Sequence, residues 1–271
     1  ARAESVITAA ETLEEAFDIM GGTIENNLMW EAISRRYIGE LESYAKEYGY
    51  QDIYIVSPDG DIVFSVARKS DVGQNIIQGQ LKETRFSGCF RKAIQAGPVL
   101  SDFELYNPHG NIPAAFAGVP VKRDKDVVGV LVLCVSTEQV NQIMTEHSGM
   151  GVTGETYLVG RDKIRRSDSH TDPEKYSVKA SMLHPDSGII DTEASREALA
   201  GVTGEKIILN YRGRTVISAF TPLKAGDMTW AMITEIEVAE ALAPVKTLMR
   251  LMGLAGGIGL AAIIAVSLFI T

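Results

Sequence analysis

The residues best suited to chemistry are scattered along the chain. His109, His147, His170 and His184 stand apart from one another, each in a turn or loop segment. Asp168-Ser169-His170 with His184 comes nearest to a metal-ligand set, and solvated loop residues account for it as well. Pro58-Asp59-Gly60-Asp61 offers oxygens of the kind calcium takes, yet a hairpin tip explains the run and the EF-hand spacing is absent. Ser and His occur without a Gly-x-Ser-x-Gly elbow. Gly154 and Gly160 belong neither to a Gly-x-Gly-x-x-Gly turn nor to a phosphate loop ending in Lys-Ser/Thr. The two cysteines, Cys89 and Cys134, form no Cys-x-x-Cys pair and cannot staple a small scaffold. No enzyme, metal or cofactor chemistry is expected. What remains is binding.

The elements that would position a binding site follow from pattern and charge. With 26 Lys and Arg against 35 Asp and Glu the net charge is −9, which repels phosphate backbones and argues against nucleic-acid partners. The 45% hydrophobic content is that of a packed fold, and 271 residues allow one large or two small domains. From Leu251 to Thr271 no residue is charged, so the whole net charge lies before Leu251. A helix needs about 20 apolar residues to cross a bilayer core, and this run predicts a transmembrane helix. The absence of an initiating Met and of a signal-like stretch predicts that the chain is a fragment.

Residues 1 to about 48 read as one long helix or two in line, weakest at Gly21-Gly22. Val6, Ala10, Leu13, Phe17, Met20 and Ile24 recur with heptad spacing, which predicts a coiled-coil seam and a homodimer, or else a helix lying along its own domain. Strands are expected at 52–57 and 61–66 around Pro58-Asp59-Gly60, a helix at 78–96, strands at 99–106, 112–121 and 127–136, and a helix at 137–144. The order then repeats: strands at 156–160 and within 162–169, a helix at 193–199, and strands at 205–211, 214–222 and 230–236. Gly-Val-Thr-Gly-Glu occurs at 151–155 and again at 201–205, at two loop-to-strand junctions. A helix over 238–250, kinked at Pro244, leads into the apolar run.

Gly149-Met150-Gly151-Val152-Thr153-Gly154-Glu155-Thr156-Tyr157-Leu158-Val159-Gly160, followed by Arg166-Ser167-Asp168-Ser169, resembles the membrane-proximal module of bacterial double Cache sensor domains. Val119-Pro120-Val121 with Val128-Gly129-Val130 and the strand to Ser136 resembles the closing hairpin of the distal module, and Thr229-Trp230-Ala231 through Glu237 that of the proximal one. The resemblance implies an α+β fold: a long N-terminal helix, two tandem PAS-like modules with antiparallel sheets, then a C-terminal transmembrane helix. The implied division is a stalk helix at 1–49, a membrane-distal module at 50–147, a proximal module at 148–240, and an exit helix and span at 241–271. The implied role is ligand sensing outside the inner membrane, in the periplasm or extracellular space, as in methyl-accepting chemotaxis proteins. Sensor regions of histidine kinases or nucleotide cyclases, and a ligand-free docking domain for a periplasmic binding protein, are the alternatives.

Amino-acid receptors of this family carry an Arg, a Trp and a Tyr at the distal helix, an aromatic on the next strand, and an Asp on the last strand that holds the ammonium group. Alignment on Ala93–Gly97 and Val128–Ser136 puts those roles on Ser87, Cys89, Phe90, Phe103 and Cys134, none of them charged. Burying an ammonium without a carboxylate costs several kcal/mol, so the expected ligand is not an α-amino acid. The site is expected at Arg85, Phe86, Cys89, Phe90, Phe103, Tyr106, Phe116 and Cys134, with both cysteines alternatively structural. Arg85 and Arg91 favour an anionic or apolar molecule. Of Asp102 and Phe103, on opposite strand faces, Phe103 is expected to point inward.

Overall fold

Two glycines decide the shape of the N-terminal segment in the computed structural model, which describes residues 2–146 and 148–270. Helix α1 (Arg2–Ile19) stops before Gly21 and Gly22, whose φ values of 66° and 77° lie in the left-handed region. Helix α2 (Leu28–Tyr48) starts at Asn27, whose side chain donates to Ala16 O (2.7 Å) and accepts from Trp30 N (2.8 Å). The chain folds back there, and Val6 and Ala9 of α1 come to line one crevice with Leu41 and Tyr44 of α2.

The coiled-coil seam is not free. Ala10, Leu13 and Phe17 are buried with Trp30, Ile55, Val63, Phe64 and Val121, against the back of the protein's own first sheet. Heptad spacing marks an apolar stripe, and the sheet supplies the surface that a second helix would otherwise supply. The seam therefore gives no support to a homodimer.

The first sheet follows. Strands β1 (Asp52–Val56) and β2 (Ile62–Ser65) pair antiparallel about the expected turn, and Gly60 (φ 93°) takes the position there that favours glycine. Helix α3 (Arg85–Ala96) begins later than the pattern suggested, because the Thr84 hydroxyl accepts from Ser87 N and caps it there. Strands β3 (Val99–Leu100) and β4 (Glu104–Tyr106) are separate, interrupted at Ser101–Phe103. A single 3-10 turn (Asn107–His109), β5 (Ile112–Arg123) and β6 (Asp126–Ser136) complete the unit. The strand order is β2-β1-β6-β5-β3, with β4 also on β5. Helix α3 covers the face opposite the helical hairpin, and between them lie Phe86, Phe90, Phe116, Val130 and Val132.

Helix α4 (Thr137–Met144) leads to β7 (Glu155–Val159). The expected return strand is reduced to one bridge, Val159 with Arg165. Helices α5 (Val178–Leu183), α6 (Pro185–Gly188) and α7 (Glu193–Leu199) precede β8 (Gly204–Leu209), β9 (Thr215–Ala225) and β10 (Met228–Glu237), in the order β7-β10-β9-β8. Ala194 and Ala198 of α7 pack on Tyr157, Val216, Phe220 and Ile233. Between the sheets Arg166 makes a two-pronged pair with Asp102 (2.6 and 2.7 Å), and Phe103 stacks near Trp230.

Strand β10 runs into α8 (Val238–Ala241) and then α9 (Ala243–Ile270). Pro244 sits in the first turn of α9, where its missing N–H costs nothing, so it starts a helix rather than kinking one. Ala243–Ile264 has a mean hydropathy of 1.7 and none of it is buried; by length and composition it can cross a membrane. The Glu240 carboxylate accepts from Val152 N (2.7 Å), Thr153 N (2.8 Å) and the Thr153 hydroxyl. Gly151 (φ 78°) permits this approach, since a Cβ there would collide with Glu240.

Candidate ligand-binding site

Strand β1 is buried along its whole length, yet it opens with a carboxylate. Asp52 sits beside β6, opposite Cys134, and is held by Ile53 N (2.7 Å), Ala67 N (3.0 Å) and the Ser65 hydroxyl (2.6 Å). A second buried carboxylate, Asp71, comes from the segment between β2 and α3. Its Oδ2 accepts from Tyr54 OH (2.8 Å) and Tyr106 OH (2.9 Å), while its Oδ1 is buried with no hydrogen-bond partner among the described residues. The Tyr54 oxygen lies 2.8 Å from His109 Nε2, and with the tyrosine proton on Asp71 it accepts from that nitrogen. Burial foremost, then the nearby aspartates, pushes the Tyr54 and Tyr106 hydroxyls well above their ordinary range, so both stay donors. Burial pushes the Cys89 thiol up to about 12, and burial with Asp52 and Asp71 raises Cys134, so neither is a thiolate nucleophile. The interior is a ring-lined core into which Asp71 brings one unengaged acceptor oxygen.

The second sheet repeats the positions. Glu155 opens β7 opposite Glu235 of β10, as Asp52 faces Cys134; Tyr157 stands two residues on, as Tyr54 does. Arg165 bridges to Val159 where Ile62 pairs with Val56. Arg165 and Arg212 bond the two oxygens of Glu155 (3.0 and 3.1 Å). Glu235 accepts from Tyr157 OH (3.1 Å) and Asn210 Nδ2 (2.7 Å), and burial raises it above the usual carboxylate range.

Six of the eight expected site residues share the core of the first sheet: Phe86, Cys89, Phe90, Tyr106, Phe116 and Cys134. Phe103 does not; it packs with Trp230, Met144 and Leu158 between the sheets. The alternation that placed it inward requires a strand, and residues 101–103 are none. Arg85 is exposed at the start of α3, in a cleft of about 330 Å³ shared with Asp102, Arg166 and Trp230. Arg91 is bonded to the backbone of Ile77 and Lys82 outside that core, so neither cation favours an anionic ligand within it. Pattern reading missed Asp52 and Asp71 and left His109 as an isolated turn residue. Asp52 could have been found as the one charge in an apolar strand; Asp71 and His109 come from irregular segments that carry no periodicity. Of the four histidines, His147 lies outside the described residues, and no group of three ligating side chains occurs among the described ones.

The family model for the Cache domain matches residues 1–245. No curated protein matches the chain in sequence. Among solved structures, the ligand-binding domain of the Pseudomonas fluorescens chemoreceptor CtaA in complex with L-isoleucine is similar at 15% identity, over 89% of this chain and 85% of that one, with a TM-score of 0.51. The Pseudomonas aeruginosa chemoreceptor PctB domain in complex with L-arginine gives 16% identity, 89% of each chain and 0.50. The sensor domain of the Vibrio cholerae histidine kinase DctB gives 12% identity, 84% of each chain and 0.53. The expectation of a ligand other than an α-amino acid is withdrawn. Ligand-binding domains of this fold hold L-isoleucine and L-arginine, and the premise of a carboxylate-free interior fails on Asp52 and Asp71.

Proposed function

The chain belongs to the Cache domain family, and on that premise we propose that it is the extracytoplasmic sensing region of a bacterial transmembrane chemoreceptor, binding a small ammonium-bearing molecule inside its first module. It is a Cache sensor domain like the ligand-binding domains of chemoreceptors and histidine kinases. In this reading residues 50–147 form the membrane-distal module, 148–240 the proximal one, and α9 crosses the membrane, so that ligand closure in the first module reaches the span through the second sheet and α8. The observation that carries the ligand class is Asp71: a fully buried carboxylate with one oxygen held by Tyr54 and Tyr106 and the other unengaged. A buried carboxylate gains most from a cation that brings its own N–H groups. The amino acids in the CtaA and PctB complexes carry such a group.

Thermal unfolding of the full chain in detergent micelles, against a panel of L-amino acids, γ-aminobutyrate and putrescine, tests the proposal. At least one amine should raise the melting temperature by about 2 °C or more at saturation, and Asp71→Asn should abolish that rise. A panel without effect, or a rise that survives Asp71→Asn, would refute it.

A further inference from the structure

The interior of the second sheet holds guanidinium N–H groups that its own carboxylates do not engage. Arg165 has no exposed side-chain surface, and only its Nη2 finds a carboxylate, Glu155 at 3.0 Å. Its Nε and Nη1 are buried with no hydrogen-bond partner among the described residues, and so is the Nε of Arg212. The rings of Tyr157 and Tyr211 lie 4.5 and 4.6 Å from the Arg165 guanidinium carbon, with Tyr176 at 5.9 Å. Ring faces stabilise a guanidinium's charge, but they offer no acceptor to N–H groups that lie in its plane.

Glu155 cannot take more. It already accepts from Arg165, Arg212, Tyr211 OH and the Thr171 hydroxyl. Glu235 is engaged by neutral donors alone, and its value is raised by burial. The first sheet holds its equivalent carboxylate without a guanidinium: Asp52 is held by two backbone N–H groups and Ser65, and Ile62 stands where Arg165 does. One N–H group of each guanidinium serves the acid at the head of the strand, and the unengaged ones are left for another acceptor.

We propose that the interior of the second module is a binding site for a small monocarboxylate, whose oxygens accept from the unengaged N–H groups of Arg165 and Arg212. Its apolar part lies among the rings of Tyr157, Tyr176 and Tyr211. One carboxylate group suffices for the unengaged N–H groups, whereas a dianion would bring a second negative charge into the space that Glu155 and Glu235 already occupy. A carboxylate presents two oxygens in one plane, the geometry that guanidinium N–H groups match. The rim is Arg212, a quarter exposed, and the partly exposed Tyr176, so the site reaches solvent there. This site is separate from the Asp71 site in position and opposite to it in charge preference.

The probes are sodium acetate, propionate, lactate and pyruvate against sodium chloride at equal ionic strength, with the full chain in detergent micelles. At least one carboxylate should raise the melting temperature by about 2 °C or more beyond chloride. Arg212→Gln and Arg165→Lys should each weaken the apparent affinity about tenfold or more, and Asp71→Asn should leave it unchanged. If Arg165→Lys fails to fold, Arg212→Gln decides alone, because its side chain is partly exposed. The proposal is overturned if no carboxylate exceeds chloride, if the rise survives Arg212→Gln, or if it disappears in Asp71→Asn.

Discussion

The two sheets place polar groups at the same points and differ in the charges added around them. Each opens with a buried acid, Asp52 or Glu155, followed two residues later by a tyrosine whose hydroxyl serves a buried carboxylate. His109 and Arg212 each stand one residue before a glycine with positive φ, Gly110 or Gly213. The difference lies at one position on the neighbouring segment, Ile62 against Arg165, and at the partner across the first strand, Cys134 against Glu235. The backbone thus settles where the buried polar groups converge, and two or three side chains settle which charges meet there.

The comparison is most exposed to failure at Arg165. Arg165→Ile installs the residue that the first sheet uses, but leaves Glu155 and Glu235 buried with less compensation. A loss of about 3–5 kcal/mol is expected in denaturant unfolding followed by tryptophan fluorescence. A loss below about 1 kcal/mol would mean that the second interior is interchangeable with the first. The tyrosines sharpen the parallel. Tyr54→Phe leaves Asp71 with Tyr106 alone, and Tyr157→Phe leaves Glu235 with Asn210 alone. Each should cost about 1–2 kcal/mol, and costs differing by more than about 2 kcal/mol would break the equivalence of the two positions.

The smallest effect separates the first sheet, which carries the helical hairpin, from the second, which does not. Glu14 on α1 is raised from its ordinary 4.5 to about 7, by burial foremost and then by Asp18, Asp59 and Asp61. Stability linked to its protonated form is full below 4.5 and is lost as pH rises through about 7. Glu14→Gln should therefore be neutral near pH 4 and stabilising above pH 7. Because the side chain is only half-buried and water screens it, the gain should be no more than about 1 kcal/mol. A midpoint for Glu14 near 4.5 in a carboxyl NMR titration would remove this contrast.

Periodicity carried the regular elements and failed where a partner had to be known. The helix at Thr137–Met144 and the hairpin turn at Gly60 stand where residue types and spacing put them. Both copies of Gly-Val-Thr-Gly-Glu do lead into strands, β7 and β8. The stripe through Leu13 and Phe17 was legible as apolar, but not as lying on a sheet, since spacing reports a buried face and not what buries it. Phe103 was misplaced because three residues between two short strands break the alternation. The core's aromatics were legible on α3 and β5. Its carboxylate at Asp71 and its imidazole at His109 were not, because only tertiary folding brings loops so far apart in the chain onto one tyrosine.

The joint formed by Glu240 has a mechanical meaning. Its carboxylate grips the backbone of Val152 and Thr153 on the segment that leads into β7, while the same short helix continues directly from β10. A helix fastened at a single point can swivel. This one is keyed at two, by its covalent continuation from one strand and by a charged clasp on the approach to the neighbouring strand. Spinning α8 about its own axis would pull Glu240 off both N–H groups, so the joint behaves as a keyed shaft and not as a ball and socket. A movement of the second sheet therefore reaches α8 at two points instead of one.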